Sequence, residues 1–96
     1  MKKIIILIPV FNDWESLIKL INEINDNIKD YKNYNFECVI VNDASSSNQP
    51  KIIKPNNFQS LQILNMKKNR GHARCNAFGI RYVFKNKEFN NLILMD

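Results

Sequence analysis

The chain has 96 residues, of which 45% are hydrophobic and 24% charged, and this balance argues against a disordered tail and for at most one small domain. The net charge of +5 comes from basic residues scattered along the chain, apart from a small group at Lys67, Lys68, Arg70 and Arg74, and it favours a polyanionic partner without identifying one. No apolar run is long enough for a membrane-spanning helix, no signal peptide is recognisable, and the two cysteines lack disulfide-scaffold density, so a cytoplasmic location is predicted.

The first half of the chain predicts a strand, a helix and a second strand. Residues 4–10 read IIILIPV, a β-branched run without polar alternation, which is typical of a parallel strand covered on both faces. Apolar residues then recur at spacings of three and four, which predicts an amphipathic helix to about Lys29. Asn12 and Glu15 have the spacing of a capping box at the start of this helix. A second buried strand is predicted over residues 36–41, followed by Asn42 and Asp43.

The second half predicts a loop, a strand, a helix and a final strand. Residues 44–59 contain two prolines and many Ser and Asn residues, which favours a loop with at most one turn. A strand is expected at residues 60–66, a basic turn around Gly71, a helix marked by a stripe at Ala73, Ala77, Ile80 and Phe84, and a strand at residues 91–95. This order predicts an α/β fold: a Rossmann-like parallel sheet of about four strands with flanking helices.

Side chains that follow the strands are the candidate ligand contacts, because ligands of open parallel sheets bind outside the carboxyl ends of the strands. These ends present residues 9–12, Asn42 and Asp43, residues 67–72, and Asp96. With only two glycines, the chain has neither the glycine-rich dinucleotide motif nor a P-loop. A nucleotide held by side-chain acceptors and a divalent cation remains, with Asp43 accepting an N–H from a base edge and Asp96 helping to bind Mg²⁺ or Mn²⁺.

The stretches IIILIPVFND, VIVNDAS, NRGHARCNAFGI and LILMD, in this order, resemble the nucleotide-binding half of family 2 glycosyltransferases with the GT-A fold. The third stretch is most similar to the branch that transfers sugars to polyisoprenyl phosphates. The resemblance implies that residues 1–96 form a single nucleotide-sugar-binding domain, a fragment of a longer glycosyltransferase and inactive alone. It implies a UDP- or GDP-linked sugar donor, a polyisoprenyl phosphate or saccharide acceptor, and peripheral contact with the inner face of the cell membrane.

The resemblance also implies roles for individual residues. The base and ribose pocket would be lined by Pro9, Phe11 and Asn12, with Glu15 beside it, and Asp43 would contact the base. Gly71 and Arg74 would lie beside the sugar diphosphate. Asp96 would be the first acid of the D-x-D metal motif. No catalytic residue is assigned within the chain. The family usually has two acids where this chain has Asn42 and Asp43, so an uncharged contact is expected at Asn42. The whole hypothesis requires Asp43 and Asp96 to lie on a common edge.

Two other classes of function compete with sugar transfer. One is a non-catalytic remnant or interaction module that keeps the scaffold and works through its basic surface. The other is a nucleic-acid-binding domain, which is disfavoured because the chain lacks a basic recognition helix and an aromatic stacking platform. Trp14 and Phe78 are expected to pack in the helices, His72 to lie at a loop or helix start, and Cys38 and Cys75 to be small core residues.

Overall fold

The computed structural model describes residues 1–95 and contains every element that the sequence predicts. The elements are β1 (Lys2–Val10), α1 (Trp14–Ile28), β2 (Tyr34–Asn42), β3 (Ser60–Asn65), α2 (His72–Asn86) and β4 (Asn91–Leu94). The proline-containing segment 44–59 forms no helix, as predicted. His72 is the first residue of α2, which confirms its placement at a helix start.

The four strands form one parallel sheet in the order β3-β2-β1-β4. The chain runs from β1 outward to β3 and then returns through α2 to the other side of β1, so the strand order reverses next to β1. All carboxyl ends consequently lie on one edge, where Val10 of β1 stands opposite Asn42 of β2. The predicted α/β architecture is confirmed, and this edge is the place where such sheets bind ligands.

One face of the sheet is covered by α1 and by the loop between β2 and β3. The helix buries an apolar stripe against this face, formed by Trp14, Leu17, Ile21, Ile24 and Ile28. Phe58, which is 1% exposed, extends the same core from the loop. Asn25 on α1 accepts a hydrogen bond from the backbone N–H of Asn57 at 2.9 Å and so anchors the loop. The loop therefore covers the part of the sheet where a second helix would otherwise pack.

The other face is covered by α2, whose buried side differs from the predicted stripe. The buried residues are Cys75, Gly79 and Val83, whereas Ala73 and Phe84 are exposed. The helix turns this side inward because Gly79 has no side chain: a Cβ there would lie 2.8 Å from methyl groups of both β1 and β2. Close contact between the helix and the sheet therefore overrides the simple apolar spacing. Phe78, expected to pack, is 36% exposed, while Trp14 is buried as predicted.

A buried carboxylate joins three strands and the end of α2. Glu37 on β2 is 7% exposed and accepts hydrogen bonds from Lys3 at 2.9 Å, Lys87 at 3.0 Å and Ser60 at 3.0 Å. Burial by itself raises the pKa of Glu37, but the hydrogen bonds from the two lysines and the serine outweigh this effect and lower the pKa below its usual value. This cluster lies toward the amino ends of the strands, away from the ligand edge, so its role is to hold the layers together.

Candidate functional site

A groove of about 470 Å³ opens at the carboxyl edge of the sheet, between the start of α1 and the start of α2. Its wall is mainly apolar and comes from the end of β1, from α1 and from the first turn of α2; the lining residues are Ile8, Pro9, Val10, Phe11, Asp13, Ser16, Leu17, Leu20, Asp43, Asn69, Gly71, His72 and Cys75. Four of the predicted site residues, Pro9, Phe11, Asp43 and Gly71, therefore lie together. Asn12, Glu15 and Arg74 do not line this groove, and Asp96 lies outside the described residues.

Asp43 connects the end of β2 to the turn that precedes α2. Its side chain is almost fully buried, and its two carboxylate oxygens accept the backbone N–H groups of Arg70 at 2.8 Å and Gly71 at 3.1 Å. Its own N–H donates to the carbonyl of Val10 at 2.9 Å, and its carbonyl accepts from Asn69 at 3.2 Å. Each carboxylate oxygen keeps a further lone pair, so Asp43 can hold the turn and still accept an N–H from a ligand.

Gly71 is the N-cap of α2 and has φ = 84°, a left-handed conformation that glycine adopts without strain. Apart from atoms of residues 70–72, no described atom lies within 4 Å of the position of an added Cβ, so the requirement for glycine here is conformational rather than steric. The Gly71 carbonyl accepts the first helical hydrogen bond, from the N–H of Cys75 at 3.0 Å. The amino end of α2 is thereby held at the edge of the groove.

The Asn12 side chain forms hydrogen bonds with the loop that follows β2 and does not cap α1. The N-cap of α1 is Asp13, which makes no side-chain capping bond, so the predicted capping box is wrong. Asn12 has φ = 64°, and its side-chain oxygen accepts hydrogen bonds from the N–H of Ser46 at 2.8 Å and of Ser47 at 2.9 Å. Its own N–H donates to the hydroxyl of Ser45 at 2.8 Å. We call residues 45–47 the serine loop; Asn12 joins it to the end of β1.

Asn42 supports the same loop from the end of β2. Its side-chain oxygen accepts from the N–H of Ser45 at 3.0 Å and from the Ser45 hydroxyl at 2.6 Å, while its amide nitrogen donates to Asn65 at 2.9 Å. A carboxylate could make the first two contacts but could not donate to Asn65. The amide at position 42 is thus explained by an uncharged network among β2, β3 and the serine loop.

The remaining predicted residues differ in exposure. Phe11 is 49% exposed at the groove, where it offers an aromatic face to a ligand. Glu15 and Arg74 are exposed on the first turns of α1 and α2.

Burial raises the pKa of Cys38 to about 12. Burial and the nearby charge of Asp43 raise the pKa of Cys75 to about 11, so both thiols stay protonated and act as core residues, as predicted.

The described residues contain no cluster of several metal ligands. Within residues 1–95 no three side chains of His, Cys, Asp or Glu come together in an arrangement that could hold an ion. The buried carboxylate at the groove, Asp43, already accepts two backbone N–H groups, which favours a fixed acceptor over a cation ligand. The predicted ligand Asp96, and with it the expected proximity of Asp43 and Asp96, falls outside the described part of the chain.

A parallel four-stranded sheet with one helix on each face and a groove at its carboxyl edge defines a Rossmann-like α/β protein, consistent with the GT-A fold. Residues 5–96 match the model of glycosyl transferase family 2, and the chain belongs to that family. This membership supports a role in glycosyl transfer, and the family generally uses nucleotide-sugar donors. The match does not distinguish branches within the family, so the polyisoprenyl-phosphate branch stays a prediction. No curated protein and no solved structure matches the chain.

Sequence reasoning missed part of the groove and its supports. Ser16, Leu17 and Leu20 form one wall: the apolar spacing of Leu17 indicated only core packing, Leu20 lay beside that stripe, and Ser16 was not singled out. The bonds between Asn12 and the serine loop join residues more than thirty positions apart, so no local pattern could reveal them. The cluster of three serines after Asp43 was the available signal, because serine hydroxyls and amides commonly bind nearby loops.

No helix in the described part of the chain is long and apolar enough to cross a bilayer.

Proposed function

We propose that this chain binds a nucleotide-sugar donor in the groove at the carboxyl edge and supplies the donor-binding half of a glycosyltransferase. The donor is a UDP- or GDP-linked sugar, and the acceptor is a polyisoprenyl phosphate or a saccharide at the cytoplasmic face of the membrane. The observation that carries this proposal is the convergence of Pro9, Phe11, Asp43 and Gly71 on one groove in a family 2 chain. The groove volume of about 470 Å³ lies within the usual range for small-molecule sites.

Each part of the groove suits a different part of such a donor. The half-exposed ring of Phe11 and the neighbouring Pro9 offer apolar surface to the flat base. The fixed carboxylate of Asp43 accepts an N–H from the edge of a pyrimidine or guanine. The amino end of α2 begins at the groove with no acidic residue in its first turn, so the partial positive charge of the helix end favours the diphosphate.

The other predicted contacts remain part of the proposal in a changed form. Asn12 acts by fixing the serine loop beside Phe11, since its side chain does not line the groove. Glu15 and Arg74 stay predictions as contacts beside the ribose and the diphosphate. Mg²⁺ or Mn²⁺ bound through Asp96 would stabilise the charge of the departing nucleoside diphosphate, and this requirement also stays a prediction.

Isothermal titration of the full chain with UDP and with GDP, each with and without Mn²⁺, tests the donor site. We expect weak but measurable binding of one of them, an affinity at least about tenfold lower in Asp43→Ala, and a smaller loss in Phe11→Ala. Asp26→Ala removes an exposed carboxylate of α1 and is the matched control, with unchanged affinity expected. Circular dichroism must show that each variant is folded, because Asp43 also holds the turn before α2.

The donor-site proposal fails if neither nucleoside diphosphate binds under any of these conditions, or if Asp43→Ala and Phe11→Ala both bind as the wild-type chain does. Sugar transfer to an acceptor is expected to be undetectable with the 96-residue chain alone. Measurable transfer would contradict the assignment of only the donor-binding half to this chain. The rival hypothesis of a non-catalytic interaction module gains support if nucleotides do not bind while the basic surface described below binds its partner.

A further inference from the structure

Positive charge in this chain is concentrated on one layer of the fold. Residues 66–87, which form the turn before α2, α2 itself and its C-cap Lys87, contain seven of the fourteen basic residues and none of the nine acidic residues. The rest of the sequence carries seven basic and nine acidic residues, so it is slightly negative. On the opposite face of the sheet, α1 carries Glu15, Glu23 and Asp26 against the single basic residue Lys19. The net charge is therefore a property of the α2 layer rather than of the whole surface.

The outward side of α2 presents this charge along its length. Arg74, Phe78, Arg81 and Lys85 follow one another at spacings of four, three and four, so they share one face of the helix. All four are exposed, and the side buried against the sheet is the one that contains Gly79. We call these four residues, together with Phe84, the α2 face. Lys67, Lys68 and Arg70 continue the positive charge into the turn that precedes the helix.

The basic side chains of the α2 face have no acidic partner among the described residues. Among the lysines and arginines of residues 1–95, ion pairs involve only Lys3 and Lys87, both with Glu37. The charges of Arg74, Arg81 and Lys85 are therefore not neutralised by the described residues. These like charges repel one another, which destabilises the fold slightly, and they attract anions from solution. Their long alkyl stems and the lack of local acids favour an extended anionic surface over one small anion.

Two aromatic side chains accompany this charge. Phe84 is 67% exposed and Phe78 is 36% exposed, and the ring of Phe84 packs edge-on against that of Phe89 with centroids 5.1 Å apart. The apolar side of α2 is buried against the sheet, so this helix would meet a bilayer with its outward side only: anionic headgroups attract the cations, and the exposed rings enter the boundary between headgroups and acyl chains. Nucleic acid phosphates would be attracted by the same charge, and the basic α2 face shows that the predicted lack of a basic helix was wrong. A DNA duplex is therefore included in the test.

We propose that the α2 face docks this protein on an anionic phospholipid bilayer, with Arg74, Arg81 and Lys85 at the headgroups and Phe84 inserted at the interface. Gly71 and His72, at the amino end of the same helix, line the candidate groove. Docking through the α2 face therefore places the groove next to the bilayer surface. This inference does not depend on nucleotide binding, and it is tested without a nucleotide, so its failure and that of the donor-site proposal can be told apart.

The test is co-sedimentation of the full chain with two kinds of vesicle: pure phosphatidylcholine, and phosphatidylcholine mixed with an equal amount of phosphatidylglycerol. We expect binding to the anionic vesicles that weakens with added salt, and little binding to the neutral ones. The double variant Arg81→Gln with Lys85→Gln should bind the anionic vesicles about 30-fold more weakly, from a loss of roughly fivefold for each charge near the surface.

The matched control is Lys19→Gln with Lys51→Gln, which removes the same charge from exposed positions on the α1 side. This control should change binding less than about threefold, because its lysines lie on the far side of the sheet. Phe84→Ser leaves the charge unchanged and should weaken binding about tenfold, through the loss of an inserted ring. Since Phe84 is largely exposed, this variant should keep the wild-type fold, which circular dichroism checks.

Three results would overturn the proposal. Equal binding to neutral and anionic vesicles would remove the electrostatic basis. An equal loss in the α1-side control would show that net charge, rather than the α2 face, is responsible. Tight binding to a DNA duplex together with no binding to anionic vesicles would assign the basic helix to nucleic acid instead.

Discussion

The bonds from Asn12 to the serine loop allow a prediction in which side chain and backbone contributions can be separated. Asn12 has a left-handed backbone, and its side-chain oxygen accepts the N–H groups of Ser46 at 2.8 Å and Ser47 at 2.9 Å and the hydroxyl of Ser47 at 3.0 Å. Asn12→Gly keeps the backbone conformation and removes these three bonds together with a fourth, which the Asn12 amide nitrogen donates to the Ser46 hydroxyl at 3.1 Å. Asn12→Ala removes them and also places an unsuitable residue in the left-handed region. Asn12→Asp keeps the acceptor oxygens in the same place.

The expected losses of stability follow from these differences. Asn12 is exposed, so water replaces its bonds in part and each contributes about 0.5 kcal/mol, the lower end of the usual range. Asn12→Gly then costs roughly 2.5 kcal/mol, since the greater freedom of glycine in the unfolded chain adds about 0.5 kcal/mol to the loss of four bonds. Asn12→Ala costs roughly 3 to 4 kcal/mol, because the left-handed conformation adds about 1 to 2 kcal/mol to the loss of the same bonds. Asn12→Asp costs less than about 0.5 kcal/mol, because its carboxylate keeps the accepting role, and the Ser46 hydroxyl, which loses the bond from the amide nitrogen, can donate to the carboxylate instead.

Urea denaturation followed by circular dichroism measures these free energies of unfolding. Amide hydrogen exchange should also be faster at Ser46 and Ser47 in Asn12→Gly than in Asn12→Asp. Asn48→Gly introduces a glycine into the same segment at an exposed residue and serves as the control, with a change of less than about 1 kcal/mol expected. The reasoning is refuted if Asn12→Gly is as stable as Asn12→Asp, or if Asn12→Ala is no less stable than Asn12→Gly.

Three further predictions concern the core. Glu37→Gln should lower the free energy of unfolding by about 2 kcal/mol near neutral pH, because two partly exposed lysines lose their counter-charge. Since the folded pKa of Glu37 is lowered, this difference from wild type should shrink as the pH falls through the carboxylate range. A difference that stays constant down to low pH, or an equal loss in the exposed control Glu88→Gln, would contradict this prediction. Gly79→Ala should destabilise the fold by about 1 to 2 kcal/mol in thermal melts, because overpacking against β1 and β2 outweighs a gain of about 1 kcal/mol in helix propensity. A melting temperature above that of the wild type would show that the gain in helix propensity outweighs the overpacking. Cys38 and Cys75, whose pKa values are raised to about 12 and about 11, should resist Ellman's reagent at mildly alkaline pH until denaturant is added, so rapid labelling of the native chain would show that the thiols are accessible.

The sequence alone determined the elements and their class. The unbroken β-branched run of β1 requires cover on both faces, and the period of three and four in α1 marks one apolar side, so both could be read from neighbouring residues. Two glycines in the whole chain are too few for the glycine-rich nucleotide loops, so composition by itself excluded them. The predicted strand order placed Pro9, Phe11, Asp43 and Gly71 on one edge, and these four residues line the same groove.

Tertiary structure decided everything that depends on contacts between distant residues. The apolar spacing in α2 predicted one buried stripe, but the close approach of the helix to the sheet at Gly79 turns a different side inward. The period of apolar residues does not report how closely a helix can approach the sheet. Asn12 had the spacing of a cap, yet its side chain binds serines on the next loop. Basic residues that look scattered in the sequence lie on one layer because α1 and α2 pack on opposite faces of the sheet. Periodicity reports local geometry, whereas hydrogen bonds and charge fields depend on distances in space.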